Sequence, residues 1–364
     1  MDRWEELFRE QNFAACPSPR NSTNTAKVVL VTGAGGCIGS ALAKTIAAAN
    51  PRLLILLEHS EENLYRIQTE LESPSIAGPD LPILGDIADR SLLAEIFENH
   101  SPEIVYHAAA YKHVPLMEAN PLAVLRNNIL GTQALAEAAA QFGVPRFVMI
   151  STDKAVNPQS VMGVSKRIAE LLLLRSSSAK TTMSAVRFGN VFGSNGSVVP
   201  RFARQIERGG PVTVTHPDAR RYFLTLSEAV EIILAAASLK ESGVFIPELG
   251  DPVKILDLAK RMISAAGGAS ARPIGIEFTG LRPGEKLSEQ LISNTESVEP
   301  TKDVPLYRVK GPQVENAKLD VALRRLSENI GVRDLAAALE TVSGIVPEYV
   351  PSEAVLALLK PSLA

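Results

Sequence analysis

From residue 27 onward, short apolar runs alternate with stretches of helical periodicity. The runs 28–31, 53–57, 81–84, 104–106 and 147–150 are bounded by polar or glycine residues and have the length of buried strands. Between them, apolar positions three and four residues apart predict helices over 38–49, 61–72, 90–99 and 117–141. A sixth strand is predicted over 182–188. Strand and helix in this order predict an α/β fold, a Rossmann-type doubly wound parallel sheet with both faces covered. Past residue 195 the rhythm weakens. Helical pattern over 198–208, 227–239 and 255–266 is mixed with extended pattern over 212–215 and 244–247. Residues 196–330 therefore predict a smaller C-terminal lobe with segments returning to the main sheet, and 331–364 a helical tail. At the other end, Trp4, Leu7 and Phe8 at helical spacing and a polar stretch after them predict a short helix and linker over 1–26, docked on the body or on a second subunit.

The first strand runs into Thr32-Gly33-Ala34-Gly35-Gly36-Cys37-Ile38-Gly39. Glycine there allows positive φ and close backbone approach, and the helix behind it offers its first amides, from Cys37 and Ile38, to a pyrophosphate. Such a turn inside a βαβ unit predicts dinucleotide binding by residues 27–195. Glu58 ends the second strand, where a carboxylate accepts from the adenosine ribose and repels a 2′-phosphate. NAD is favoured over NADP, with His59 and Arg66 as neighbours able to alter that balance. Asp86 and Ile87 follow the third strand. Asp86 either reaches the adenine amine or caps the helix over 90–99. After the fourth strand, Ala108 and Ala109 let backbone pass beneath the cofactor, and Tyr111, Lys112 and His113 bring polar groups to the same sheet edge. Asn128 is either a surface residue or a buried support for the site.

The fifth strand delivers Ser151, Thr152, Asp153 and Lys154 to that edge together. A second amine, Lys166, follows on a predicted helix with Met162 four residues before it, on the same face. In the smaller lobe, Arg201, Arg204, Arg220, Arg221, Arg282 and Lys286 are candidates to grip a phosphate, and Arg282-Pro-Gly-Glu-Lys286 presents charges of both signs on a turn.

Composition narrows the function classes. The chain of 364 residues is 46% hydrophobic and 21% charged, ordinary for a globular protein, and its net charge of −3 argues against a nucleic-acid binder. Two cysteines and five scattered histidines predict no disulfide framework and no metal site. The acidic start and the lack of a long apolar run predict no leader and no membrane span, hence a cytoplasmic protein.

The motifs TGAGGCIG, AAAYKHVPLME, STDKAVNP, VMGVSKR, VRFGNVFGSNGSVVP and GLRPGEKLSE, in this order between about residues 27 and 291, resemble those of extended short-chain dehydrogenases/reductases. More narrowly, the chain is similar to nucleotide-sugar 4,6-dehydratases of polysaccharide biosynthesis, which act on UDP-N-acetylglucosamine. The resemblance implies NAD or NADP held by Gly33, Gly35, Gly36, Cys37, Ile38, Glu58, Asp86, Ile87, Ala108, Ala109 and Lys166. A UDP-sugar would be bound through Lys112, His113, Asn190, Val198, Arg201, Arg221, Arg282 and Glu285. By the same resemblance, Asp153 protonates the departing C6 hydroxyl, Lys154 removes the C5 proton, Thr152 orients the C4 hydroxyl and Lys166 fixes the nicotinamide ribose. It also implies a homodimer or higher homo-oligomer through helices 117–141 and 160–175. Met162 stands where the superfamily usually has tyrosine, and a thioether cannot move protons. This exchange resembles the branch whose longer members carry a membrane region, so the chain looks like a free-standing version. A lysine base further requires that Lys154 be depressed below its ordinary pKa near 10.4, by burial and by repulsion from Lys166. A C4 epimerase, or a cofactor-binding scaffold without catalysis, remains as an alternative.

Overall fold

The computed structural model describes Trp4 and residues 23–72, 78–194, 196–266, 273–312 and 314–360. Leu7, Phe8, the linker after them and Asn195 lie outside the described residues. The alternating half runs β1 (Val28–Thr32), α1 (Cys37–Ala47), β2 (Leu53–Glu58), α2 (Glu61–Leu71), β3 (Asp80–Leu84), α3 (Arg90–His100), β4 (Ile104–His107), α4 (Thr132–Gln141), β5 (Arg146–Ile150), α5 (Val161–Ser176) and β6 (Thr182–Val186). Later segments return to the sheet: β7 (Gly243–Pro247), preceded by α6 (Leu226–Ser238), then β8 (Ser297–Pro300) and β9 (Leu306–Lys310). The nine strands lie in the order β8-β9-β7-β6-β5-β4-β1-β2-β3. The block from β7 to β3 is parallel, and β9 and β8 close one edge antiparallel.

Strand β1 is buried on both faces, which is why it reads as an unbroken apolar run rather than an alternation. Its side chains divide by parity. Val29 and Val31 join the cluster made with α1, α2 and α6, whereas Val28 and Leu30 join the one made with α3, α4 and the inner side of α5. β1 pairs with β2 on one side and β4 on the other, so the strand order reverses there. The crevice at the carboxyl ends of these strands is where open α/β sheets take their ligands.

Two expectations are corrected. The helix predicted over 117–141 is four pieces: Val114–Glu118, Pro121–Leu125, a wider π-helical turn Arg126–Gly131, and α4. Pro121 lacks an amide donor and restricts Asn120, which breaks the helix at φ −133°. Asp86 does not cap the third helix. Asp89 does, accepting from the amides of Ser91 and Leu92. The face offered for a dimer through 117–141 and 160–175 is covered by the chain itself. Helices α7 (Asn316–Gly331) and α8 (Leu335–Ile345) form a hairpin whose Leu319, Leu323, Leu326, Leu339 and Val342 pack with Val124, Leu125, Ile168 and Leu172. The tail's own apolar stripe occupies that face.

The lobe between β6 and β7 and around 253–278 has its own small core of Phe192, Val199, Phe202, Ile206, Phe223, Leu258 and Met262, with partly buried Trp4 against it.

Candidate active site

The turn after β1 is shaped for close backbone approach. Gly33 has φ +64°, and a Cβ placed on it would stand 2.7 Å from the Ala109 Cα, so the turn rests on the backbone leaving β4. Gly36 precedes α1 in extended conformation and no side chain caps the helix, which leaves the first amides, including those of Cys37 and Ile38, free of side-chain acceptors. These features fit a bound pyrophosphate. Glu58 is buried and accepts from the amides of Gly35 at 3.0 Å, His59 at 3.0 Å and Ser60 at 3.1 Å. The flanking cations are engaged locally. His59 Nδ1 lies 3.1 Å from the Glu58 carboxylate, and Arg66 donates to the Gly35 carbonyl at 2.6 Å.

Asp86 accepts from the Ala88 amide at 2.8 Å and stands 3.3 Å from Arg126, while Ile87 is buried in the core under Gly131. Neither residue was expected in those contacts. The buried His107 bridges Thr32 Oγ1 at 2.8 Å and Thr132 Oγ1 at 2.9 Å, tying β1, β4 and α4 together. Burial, with the Lys166 charge, pushes its imidazole down to about 3, so it is neutral.

Asn128 proves to be the buried support. Its Oδ1 accepts from the Tyr111 amide at 2.9 Å, and its Nδ2 donates to the Tyr111 carbonyl at 3.0 Å and to Ser165 Oγ at 2.9 Å. The π-helical turn places this amide inward, and the amide staples the loop carrying Lys112 and His113 to α5. Lys112 is depressed mainly by burial. His113 is depressed by burial and then by the charges of Lys112 and Arg282, so three basic groups converge there.

At the end of β5 the chain makes one 3₁₀ turn, Asp153–Ala155, and α5 begins after Ser160, whose side chain accepts from the Gly163 amide. Asp153 is 0% exposed; its Oδ1 receives Thr152 Oγ1 at 2.9 Å and Lys154 Nζ at 2.9 Å, while its Oδ2 has no hydrogen-bond partner. Lys154 Nζ also donates to Asn190 Oδ1 at 3.1 Å and lies 3.6 Å from Glu289 Oε1. Burial raises the Asp153 carboxyl more than Lys154 lowers it. The condition set for Lys154 is not met in this state. Burial pulls its amine down, but Asp153 and then Glu289 outweigh that and hold it above the ordinary lysine value, and the repelling charge is Arg221 rather than Lys166. Lys166 is the depressed amine, pushed by burial down to about 8. Met162 is buried in the apolar cluster under the tail hairpin.

The substrate-side candidates divide. Asn190 reaches the centre. Arg221 is buried and donates to the carbonyls of Arg220, Leu287 and Lys286, so its charge faces the centre while its hydrogen bonds hold backbone. Arg282 pairs with Glu285 at 2.5 Å on the exposed turn, and Val198 and Arg201 begin the lobe helix Val198–Glu207. Sequence reasoning missed Glu289, although it closes the last quoted motif three residues after Lys286. It also missed the buried Arg187, held by Glu170 at 2.8 Å and Glu296 at 2.9 Å, with Ser151 Oγ on Glu170 at 2.6 Å. Among the described residues no His, Cys, Asp and Glu cluster could hold a metal, and no helix is long and apolar enough to cross a membrane.

The polysaccharide biosynthesis protein family matches residues 29–311. The capsular polysaccharide biosynthesis protein CapD of Staphylococcus aureus is 46% identical over 85% of this chain and 52% of the relative, so the chain spans about half that protein's length. The UDP-N-acetylglucosamine 4,6-dehydratase (inverting) of Campylobacter jejuni is 31% identical over 74% of this chain and 79% of its own. A UDP-glucose 4-epimerase of Rickettsia canadensis is likewise 31% identical, over 78% and 82%. Among solved structures, Pen from Bacillus thuringiensis superposes with a TM-score of 0.72 at 28% identity over 83% of this chain and 98% of that one. MoeE5 in complex with UDP-glucose and NAD does so with 0.60 at 26% over 73% and 90%. Sheet order, glycine turn and matched length agree: the chain belongs to the polysaccharide biosynthesis protein family, within the extended short-chain dehydrogenases/reductases.

Proposed function

We propose that the protein is a nucleotide-sugar 4,6-dehydratase that takes UDP-N-acetylglucosamine to UDP-2-acetamido-2,6-dideoxy-4-keto-hexose with NAD as resident cofactor. The observation that carries this reading is the Asp153–Lys154 couple, a buried carboxyl and an amine 2.9 Å apart at the sheet edge beside the dinucleotide turn. When bound, NAD supplies the oxidation at C4 and the hydride that returns to C6. Gly33, Gly36 and the first amides of α1 would hold its pyrophosphate, and Glu58 its ribose. With the carboxylate buried at that position and both neighbouring cations engaged, a 2′-phosphate is disfavoured, which supports NAD over NADP.

Elimination of water across C5 and C6 needs a base at C5 and an acid at the C6 hydroxyl. Moving one proton from Lys154 Nζ to Asp153 Oδ1 turns the ion pair into a neutral amine beside a carboxylic acid. The C4 ketone acidifies the C5 hydrogen, and the amine takes it. The electrons of that bond form the C5–C6 double bond as the C6 hydroxyl leaves, taking the Asp153 proton with it as water. Ammonium and carboxylate remain, and Lys154 gives its proton back to C5 in the final step. The proton lost from the C4 hydroxyl in the first step leaves to solvent by way of Thr152 Oγ1 while Asp153 holds the Lys154 proton, and one proton taken back from solvent after the cycle restores the couple. Lys112 and Arg282 supply positive charge suited to the UDP diphosphate, and His113, depressed by burial and by both of them, offers a neutral imidazole.

A C4 epimerase is the second reading, favoured by the relative of that name at the same identity. Incubation with UDP-N-acetylglucosamine, followed by mass and NMR, separates them: the dehydratase product is lighter by one water. A product of unchanged mass that is the C4 epimer overturns the first reading in favour of the second.

A further inference from the structure

Glu289 is 3% exposed, yet no hydrogen bond reaches its Oε2. Its contacts are three cations at the range of charge rather than of hydrogen bonding. Lys154 Nζ is 3.6 Å from Oε1, Lys286 Nζ is 3.6 Å from Oε2, and the Arg221 charge bears on Glu289 and on Lys154. A carboxylate is expensive to bury, so it persists only where fixed positive charge repays it. Lys286 Nζ also donates to the Val156 carbonyl at 2.5 Å. The position of Glu289 is imposed by the backbone around it. Arg221 holds the carbonyls of Lys286 and Leu287, Ser288 bridges to Arg220, and Arg187 holds the carbonyl of Leu291. The backbone thus delivers the side chain to the Asp153–Lys154 couple, where its contacts are with Lys154 and Lys286.

Resting on the dehydratase reading, we propose that Glu289 is a positioning residue that holds Lys154 between two carboxylates and sets the pH window in which the Asp153–Lys154 couple carries its one transferable proton. With two protons the couple is ammonium and acid and has no base. With none it is amine and carboxylate and has no acid. The groups facing it are Thr152, Asn190, Arg221, Tyr222, Lys286 and Glu289. The negative charge of Glu289 raises both members, so it moves the whole one-proton window toward neutral and alkaline pH, against the pull of Arg221 and Lys286.

The test uses the full chain with NAD as wild type, E289Q and E289D, each checked by thermal melting. Two readouts are taken: kcat against pH for loss of water from UDP-N-acetylglucosamine, and acetylation of Lys154 against pH, read by peptide mass spectrometry without substrate. Removing the charge in E289Q shifts both limbs of the kcat profile and the labelling midpoint to lower pH. E289D, which keeps the charge one methylene further back, gives a smaller shift in the same direction and serves alone if E289Q does not fold. Limbs and midpoint that stay at their wild-type positions in a folded variant overturn the proposal. If wild type releases no water from the sugar nucleotide, the dehydratase reading fails, and the Lys154 labelling midpoint still decides whether Glu289 governs that amine.

Discussion

Replacing Arg187 with Met tests how the floor of the site is held. The guanidinium is fully buried; it donates to Glu170 through Nε and Nη2 at 2.8 Å each, to Glu296 through Nη1 and Nη2 at 2.9 Å each, and to the Leu291 carbonyl at 3.1 Å. Methionine fills comparable length but leaves two buried carboxylates to share Arg167, at 3.2 Å from Glu170 and 3.3 Å from Glu296. Breaking a buried pair by removing one partner costs about 3–5 kcal/mol. At a urea slope of roughly 3 kcal/mol/M, this lowers the unfolding midpoint by about 1 M or somewhat more, measured by circular dichroism at pH 7. The pH dependence carries the sharper test. Burial raises the Glu170 carboxyl, but Arg187 and Arg167 outweigh it, and Glu296 is likewise held low by Arg187. Their folded pKa values lie below the unfolded ones, so the stabilisation is fully present above the ordinary carboxylate value of about 4.3 and is lost as pH falls through the folded values. Without Arg187, burial pushes Glu170 upward and the variant is relieved by protonation. Its deficit is therefore largest at neutral pH and narrows toward pH 4. A deficit under about 1 kcal/mol at pH 7, or one that does not change on acidification, refutes this account of the pair.

Gly33→Ala forces an L side chain into φ +64°, at about 1–2 kcal/mol, and drives a Cβ against the Ala109 backbone, so NAD affinity measured by calorimetry falls at least about tenfold. Unaltered affinity would remove the turn from the cofactor site. Lys154→Ala and Asp153→Asn each abolish loss of water while NAD still binds by the same titration; full turnover by either variant refutes the acid–base assignment. Lys166, pushed down to about 8, acetylates near pH 8 well ahead of surface lysines, and NAD protects it. Equal labelling with and without NAD argues against contact between this amine and the cofactor.

The parts of the fold written in local pattern were legible. β-Branched and aliphatic runs such as 28–31 have no alternative to a buried strand, and a glycine turn between strand and helix has a restricted set of uses. Asp86 and Asp89 frame Asp-Ile-Ala-Asp, and either carboxylate suits a helix start; only the position of the first turn selects Asp89. The break before Pro121 was readable and was overridden by an apolar period that continues through it. The π-helical turn that faces Asn128 inward has no sequence period of its own. Glu289 and the raised amine of Lys154 depend on a contact between segments distant in sequence, where charge distance, not residue type, decides the sign. The same holds for the tail. Its stripe of Leu319, Leu323 and Leu326 predicts a buried face but not which surface it covers.

That placement has a consequence for truncation. The outer side of α5, which carries Lys166, is walled by residues 319–355, and Ser352 donates at 2.5 Å to the buried Glu118 beside the start of the same helix. A chain cut before residue 319 keeps its glycine turn, Asp153 and Lys154 but presents Ile168 and Leu172 to the surroundings. The helix bearing Lys166 therefore needs residues 319–355 to bury its outer side, and their removal leaves a sticky chain with its chemistry otherwise written in full.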